Sequence, residues 1–133
     1  MPNGKVPQLN VMRSPLGRAR GLGSARAGAA HWWAQRITAL ALVPLSLWFI
    51  CAAIRLEGAS RADVAHWLRA PVPIVLMISM VIATFYHLQL GLQVVVEDYL
   101  QSDALRLASI LLIKAAAFVL ALACIVSVLH LAV

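Results

Sequence analysis

The chain has 133 residues, a size that suits one domain, and 62% of them are hydrophobic against 12% charged. Soluble domains average about 45–50% apolar and about 25% charged residues, so this composition excludes a water-soluble globule and points to lipid as the main solvent. The net charge of +6 does not indicate nucleic acid, because the basic residues are not interleaved with stacking aromatics on a soluble module.

Residues 1 to about 30 read as an irregular basic tail, with Pro2, Pro7 and Pro15 and a scatter of glycines. Lys5, Arg13, Arg18, Arg20, Arg26 and Arg36 all precede the first apolar run, and no Asp or Glu accompanies them. Lys and Arg near span ends stay on the cytoplasmic side, so the tail predicts a cytoplasmic N-terminus. An acid-free, Arg-rich start also resembles a transit peptide, but its Gly and Pro content spoils the amphipathic helix such a peptide needs. It is read as part of the mature chain.

The rest, residues 31–133, reads as one all-α membrane domain with three transmembrane helices at about 37–54, 71–96 and 105–131. His31, Trp32, Trp33 and Arg36 open the first span with headgroup-level residue types, and Pro44 inside it should kink the helix. The connection from Arg55 to Ala70 is polar and mixed in charge, with room for a short surface helix and with Trp67 as an interfacial anchor. A polar turn over 97–104 joins the second and third spans, which returns the chain to the cytoplasmic side and leaves the C-terminus outside. Lys114 can snorkel toward that cytoplasmic face. Cys51 and Cys124, without CxxC spacing, read as small buried hydrophobes.

A polar side chain within a span is costly enough to need a reason, and His87 lies well inside the second span with Tyr86, Gln89 and Gln93 nearby. It is either a histidine bonded to a neighbouring helix or a cofactor ligand. Gly91 lies one turn further along the same face, where a flat ligand could approach the backbone, although glycine serves plain helix packing equally. With no other strong ligand set in the chain, the metal most compatible with a single His is haem iron, its second ligand coming from a partner. Asp98 and Tyr99 follow about 17 to 18 Å along the helix at 1.5 Å per residue. Tyr99 can donate to a quinone carbonyl with Asp98 helping proton delivery, or the two can be an aromatic-belt residue and a helix-end residue. Arg36 either snorkels to headgroups or faces inward to pair with a haem propionate or orient a quinone. His31, His66 and His130 receive no cofactor role.

His31-Trp32 followed by Arg36, then His87 with Gly91, then Glu97-Asp98-Tyr99 and Asp103-Ala104-Leu105-Arg106, together resemble the hydrophobic membrane anchor subunit family of succinate dehydrogenase. The central signature is His, ten residues, then Asp-Tyr, which reads HLQLGLQVVVEDYL here. The segment RSPLGRARGLGSARAGAAHWWAQR is similar to the N-terminal part of bacterial members. The resemblance implies that His87 is an axial ligand to haem b, the other ligand being a histidine of a companion anchor subunit. It implies further that Tyr99 hydrogen-bonds ubiquinone beside Asp98, and that Arg36 lies near the propionates and quinone pocket. It also implies a heteromeric helical bundle in the bacterial inner membrane. An iron-sulfur subunit and a flavoprotein would be docked to it, with succinate oxidised elsewhere and quinone reduced at the anchor. The absence of a dinucleotide fingerprint and of a cysteine cluster in the sequence agrees with a non-catalytic subunit. Two other classes compete: a cofactor-free structural or assembly anchor, and a small transporter subunit with His87 in a proton relay. A transporter would favour paired carboxylates or broken helices at the midplane, and neither is present in the sequence.

Overall fold

Backbone N–H and C=O groups have no water to bond in hydrocarbon, so a long apolar run satisfies them internally as helix. The computed structural model describes Leu16 and residues 27–133. Most of the basic tail lies outside the described residues. Four helices follow: α1 (Ala27–Arg55), α2 (Arg61–Leu68), α3 (Pro71–Tyr99) and α4 (Asp103–Ala132). Three of them are long and apolar enough to cross a membrane, as the composition requires. At 29 and 30 residues they reach about 44 Å, well past a hydrocarbon core of about 30 Å, so their ends enter the headgroup region.

α1 begins about three turns before Ile37, where the apolar run opens, because the segment from Gly28 to Arg36 continues the same helix. Pro44 sits inside it and removes one backbone donor, yet the helix runs on to Arg55. The chain then turns through Gly58, whose φ of 76° lies in the left-handed region that favours glycine.

The short surface helix expected between the first two spans is α2. Ser60 caps it reciprocally with Asp63: the Asp63 amide donates to Ser60 Oγ at 3.3 Å, and the Ser60 amide donates to Asp63 Oδ2 at 3.1 Å. The Ser60 hydroxyl adds a 2.7 Å bond to the same carboxylate. These bonds hold the Asp63 carboxyl below its ordinary value, with the charge of His66 assisting. α2 packs on α3 and α4 through Leu68, which is only 2% exposed, and Trp67 stacks on Trp48 of α1 at 6.0 Å. Arg69, just after α2, donates to the carbonyls of Ala132 and Val133 at 3.1 and 2.9 Å and so covers the C-terminal end of α4.

α3 opens with proline in its first turn, where the missing N–H has no partner to lose. It extends to Tyr99, so Glu97, Asp98 and Tyr99 are helical, and the expected 97–104 turn contracts to Leu100, Gln101 and Ser102. Helical hydrogen bonding outweighs the unfavourable placing of carboxylates at a helix C-terminus, and the Leu100 amide still bonds Val96 at 3.0 Å. Asp103 opens α4 with a carboxylate at the favourable end and pairs with Arg106 at 2.6 Å.

The three long helices stand in a row. α3 is central, packed on α1 along one side and on α4 along the other, while α1 and α4 make no packing contact among the described residues. Such a layer buries little of itself: Ala52, Leu68, Leu90, Ala117 and Ala132 are the buried hydrophobic residues among those described. Cys51 is exposed and Cys124 half-buried, both unpaired, which corrects the expectation that both are buried. Apolar side chains in a membrane layer face lipid or partner helices at no hydrophobic cost, so an apolar residue need not be buried within its own chain.

Candidate functional site

Helical spacing divides α3 into two opposite faces. Phe85 and Gln89 line clefts against α4 together with Ala117, whereas His87, Gly91 and Val94, spaced i, i+4, i+7, face α1. On α1 the answering residues are His31, Gln35 and Thr38, with the same spacing. The two helices run antiparallel, and the pairs fall in register. His87 Nδ1 lies 2.9 Å from Thr38 Oγ1, and Gly91 packs on Gln35, whose Nε2 would stand 3.7 Å from a Cβ added to the glycine.

The Thr38 hydroxyl is also 2.8 Å from the Ala34 carbonyl and 3.1 Å from that of Gln35, so the imidazole is tied through it to the α1 backbone. His87 is half-buried and has Thr38 as its one side-chain partner among the described residues. Toward the N-terminal end of α1 the seam opens into a cleft of about 530 Å³ lined by Gly28, His31, Trp32, Gln35, Gly91 and Val94. Two buried polar atoms, His31 Nε2 and Gln35 Oε1, have no hydrogen-bond partner among the described residues. Buried polar atoms left unpaired are rare enough to mark a place where another group binds.

Arg36 stands beside this seam, exposed, with its guanidinium 4.9 Å over the Trp32 ring. Trp32 meets Trp33 edge-on at 5.0 Å. Asp98 lies in the last turn of α3, on the same helical face as His87 and Gly91, and is exposed. Tyr99, 80% exposed, instead continues a stripe of Leu88, Leu92 and Val95 that also projects from the layer. The fold therefore joins His87 and Gly91 on one seam, sets Arg36 at its edge, and holds Tyr99 about 18 Å further along the helix axis. Among the described residues no group of three or more His, Cys, Asp or Glu side chains could hold a metal ion.

Sequence reasoning missed Thr38 and Gln35, and gave His31 no role. A polar stripe at i, i+4, i+7 running from the headgroup region into the first span was the available signal.

These features define an integral membrane protein of three spans, with a polar seam through one helix pair and open faces on the rest. Over residues 10–123 the sequence matches the succinate dehydrogenase/fumarate reductase transmembrane subunit family, and the chain belongs to that family. It is similar to the succinate dehydrogenase hydrophobic membrane anchor subunit of Rickettsia bellii (strain RML369-C), 35% identical over 119 residues that cover 89% of this chain and 94% of the relative. The subunit of that description from Paracoccus denitrificans is 31% identical over 97 residues, 73% of this chain and 75% of the relative. The succinate dehydrogenase membrane anchor subunit of Reclinomonas americana is 32% identical over 93 residues, 67% of this chain and 77% of the relative. No solved structure matches the chain.

Proposed function

We propose that the chain is a membrane anchor subunit of succinate dehydrogenase, respiratory complex II, in the bacterial inner membrane. In this reading it docks the iron-sulfur and flavoprotein subunits, binds one face of a haem b shared with a companion anchor subunit, and contributes to the ubiquinone site. The observation that carries the haem assignment is the mid-span imidazole of His87, bonded at one nitrogen to Thr38 and without a hydrogen bond at the other among the described residues.

The residues fit half of a bis-histidine site. A neutral imidazole is the right donor for haem iron, Gly91 one turn away presents no side chain, and the open layer leaves room for a partner helix to bring the second histidine. Haem, when bound, supplies a one-electron store between the iron-sulfur subunit and the quinone. Arg36, beside the seam, offers the planar guanidinium fork suited to a propionate or to the quinone pocket. Tyr99 presents its hydroxyl, as a donor to a quinone carbonyl would, and Asp98 beside it offers a carboxylate for proton delivery. The positive-inside rule sets the N-terminus and the Leu100–Ser102 connection on the cytoplasmic side and α2 on the periplasmic side.

A cofactor-free anchor is the second reading, favoured by the fact that Thr38 gives His87 a structural hydrogen-bond partner. A reduced-minus-oxidised optical spectrum of the complex, purified through a tag on this chain, decides between them. A b-type signal that is lost or shifted in His87→Ala, with the subunits still copurifying, supports the haem ligand. A wild-type complex without haem leaves His87 structural and the chain a quinone-site or mechanical anchor.

A further inference from the structure

A ligating histidine must present a lone pair to iron, and which ring nitrogen does so depends on where the single proton of the neutral ring sits. Thr38 decides this from within the chain. Its hydroxyl has one proton and three neighbours within hydrogen-bond distance: the Ala34 carbonyl at 2.8 Å, the Gln35 carbonyl at 3.1 Å and His87 Nδ1 at 2.9 Å. Two oxygens 2.8 Å apart repel unless a hydrogen lies between them, and a backbone carbonyl has none to give. The Thr38 proton therefore points to Ala34, the familiar back-bond of a helical threonine. The lone pairs of Oγ1 are left facing the imidazole, and the 2.9 Å contact requires its hydrogen from His87.

We propose that Thr38 is a positioning residue that holds His87 as the Nδ1–H tautomer, reserving Nε2 as the nitrogen that coordinates the iron. The inference rests on the haem-ligand reading above and adds to it the identity of the ligating atom and of the group that selects it. A hydrogen bond donated from the distal nitrogen of a ligating imidazole raises its basicity, and losing such a partner typically lowers metal affinity about 10–100-fold. The better donor favours ferric iron, so removing the bond moves the midpoint potential upward.

The test compares wild type, Thr38→Val and Thr38→Ser in the assembled complex by haem-to-flavin ratio, by redox titration of the haem and by redox-difference infrared spectra of the imidazole ring. Thr38→Val keeps the shape and removes the acceptor. It is expected to raise the midpoint potential and speed haem loss by about 10–100-fold, with Thr38→Ser restoring both. An assembled Thr38→Val complex with wild-type potential and haem retention overturns the inference while leaving the ligand assignment standing. A wild-type complex without haem overturns both. The infrared ring-stretch bands of the wild type read the protonated nitrogen directly, so a signature of protonated Nε2 refutes the proposal even if Thr38→Val does not assemble.

Discussion

Gly91 on α3 meets Gln35 on α1 at the polar seam, and a Cβ built on the glycine stands 3.7 Å from Gln35 Nε2, an ordinary van der Waals distance. The packing of this chain therefore does not itself demand glycine at position 91. Gly91→Ala is expected to assemble normally, since alanine is about 0.5–1 kcal/mol the better helix residue. If a flat cofactor lies on that backbone, the added methyl shifts the haem spectrum while thermal stability holds or rises. Unchanged spectra with unchanged stability would assign Gly91 to neither role.

Tyr99 projects from the layer and supports little of the fold, so its hydroxyl can be removed cleanly. Tyr99→Phe is expected to lower quinone reduction by about tenfold, the worth of one hydrogen bond of about 1–1.5 kcal/mol. Succinate oxidation with a soluble artificial acceptor should be untouched, because that route bypasses the anchor. Equal loss in both assays would point to defective assembly instead.

Arg69 bonds two carbonyls at the end of α4 from outside the spans. Arg69→Leu is expected to lower stability by about 1 kcal/mol, a charged hydrogen-bond pair discounted for solvent exposure. The melting temperature of the purified complex in detergent measures it. The haem spectrum should not change, since the start of α3 beside the clamp lies about 24 Å along the helix from His87 at 1.5 Å per residue.

The capping box of α2 predicts a pH dependence of definite sign. Asp63 has its carboxyl held below the ordinary value by the hydroxyl and amide of Ser60, helped by His66. A group whose folded value is depressed contributes stability above its unfolded value, near 3.9 for Asp as a rough reference, and loses it as pH falls through the folded value. Amide hydrogen exchange in α2, measured as pH is lowered through the acid range, should accelerate relative to the long helices. Ser60→Ala, which removes the hydroxyl but keeps the Ser60 amide and His66, should shrink that difference without abolishing it.

The three spans were legible because hydropathy adds locally: a run of apolar residues has to become helix in lipid whatever surrounds it. His87 stood out for the same local reason, an ionisable group where solvation is costly, while Asp98 and Tyr99 were marked by their place at the end of the span. Helix ends were less legible. Ala27 to Ala30 read as the end of a glycine-rich tail and Glu97 to Tyr99 as part of a polar turn, yet helical hydrogen bonding carries through both.

Residue order alone dictates a membrane protein of three helices, with a basic leading segment and one mid-span histidine. It took the packed helices to establish that α3 is central, that α1 and α4 stay apart among the described residues, and that Thr38 and Gln35 meet His87 and Gly91. Thr38 and His87 are separated by 49 positions, and their meeting depends on the rotation and register of two helices packed antiparallel. No local run of residues carries that information: apolar flanks can slide or rotate against one another at little cost, and the fit of small and polar residues along the seam settles where they stop.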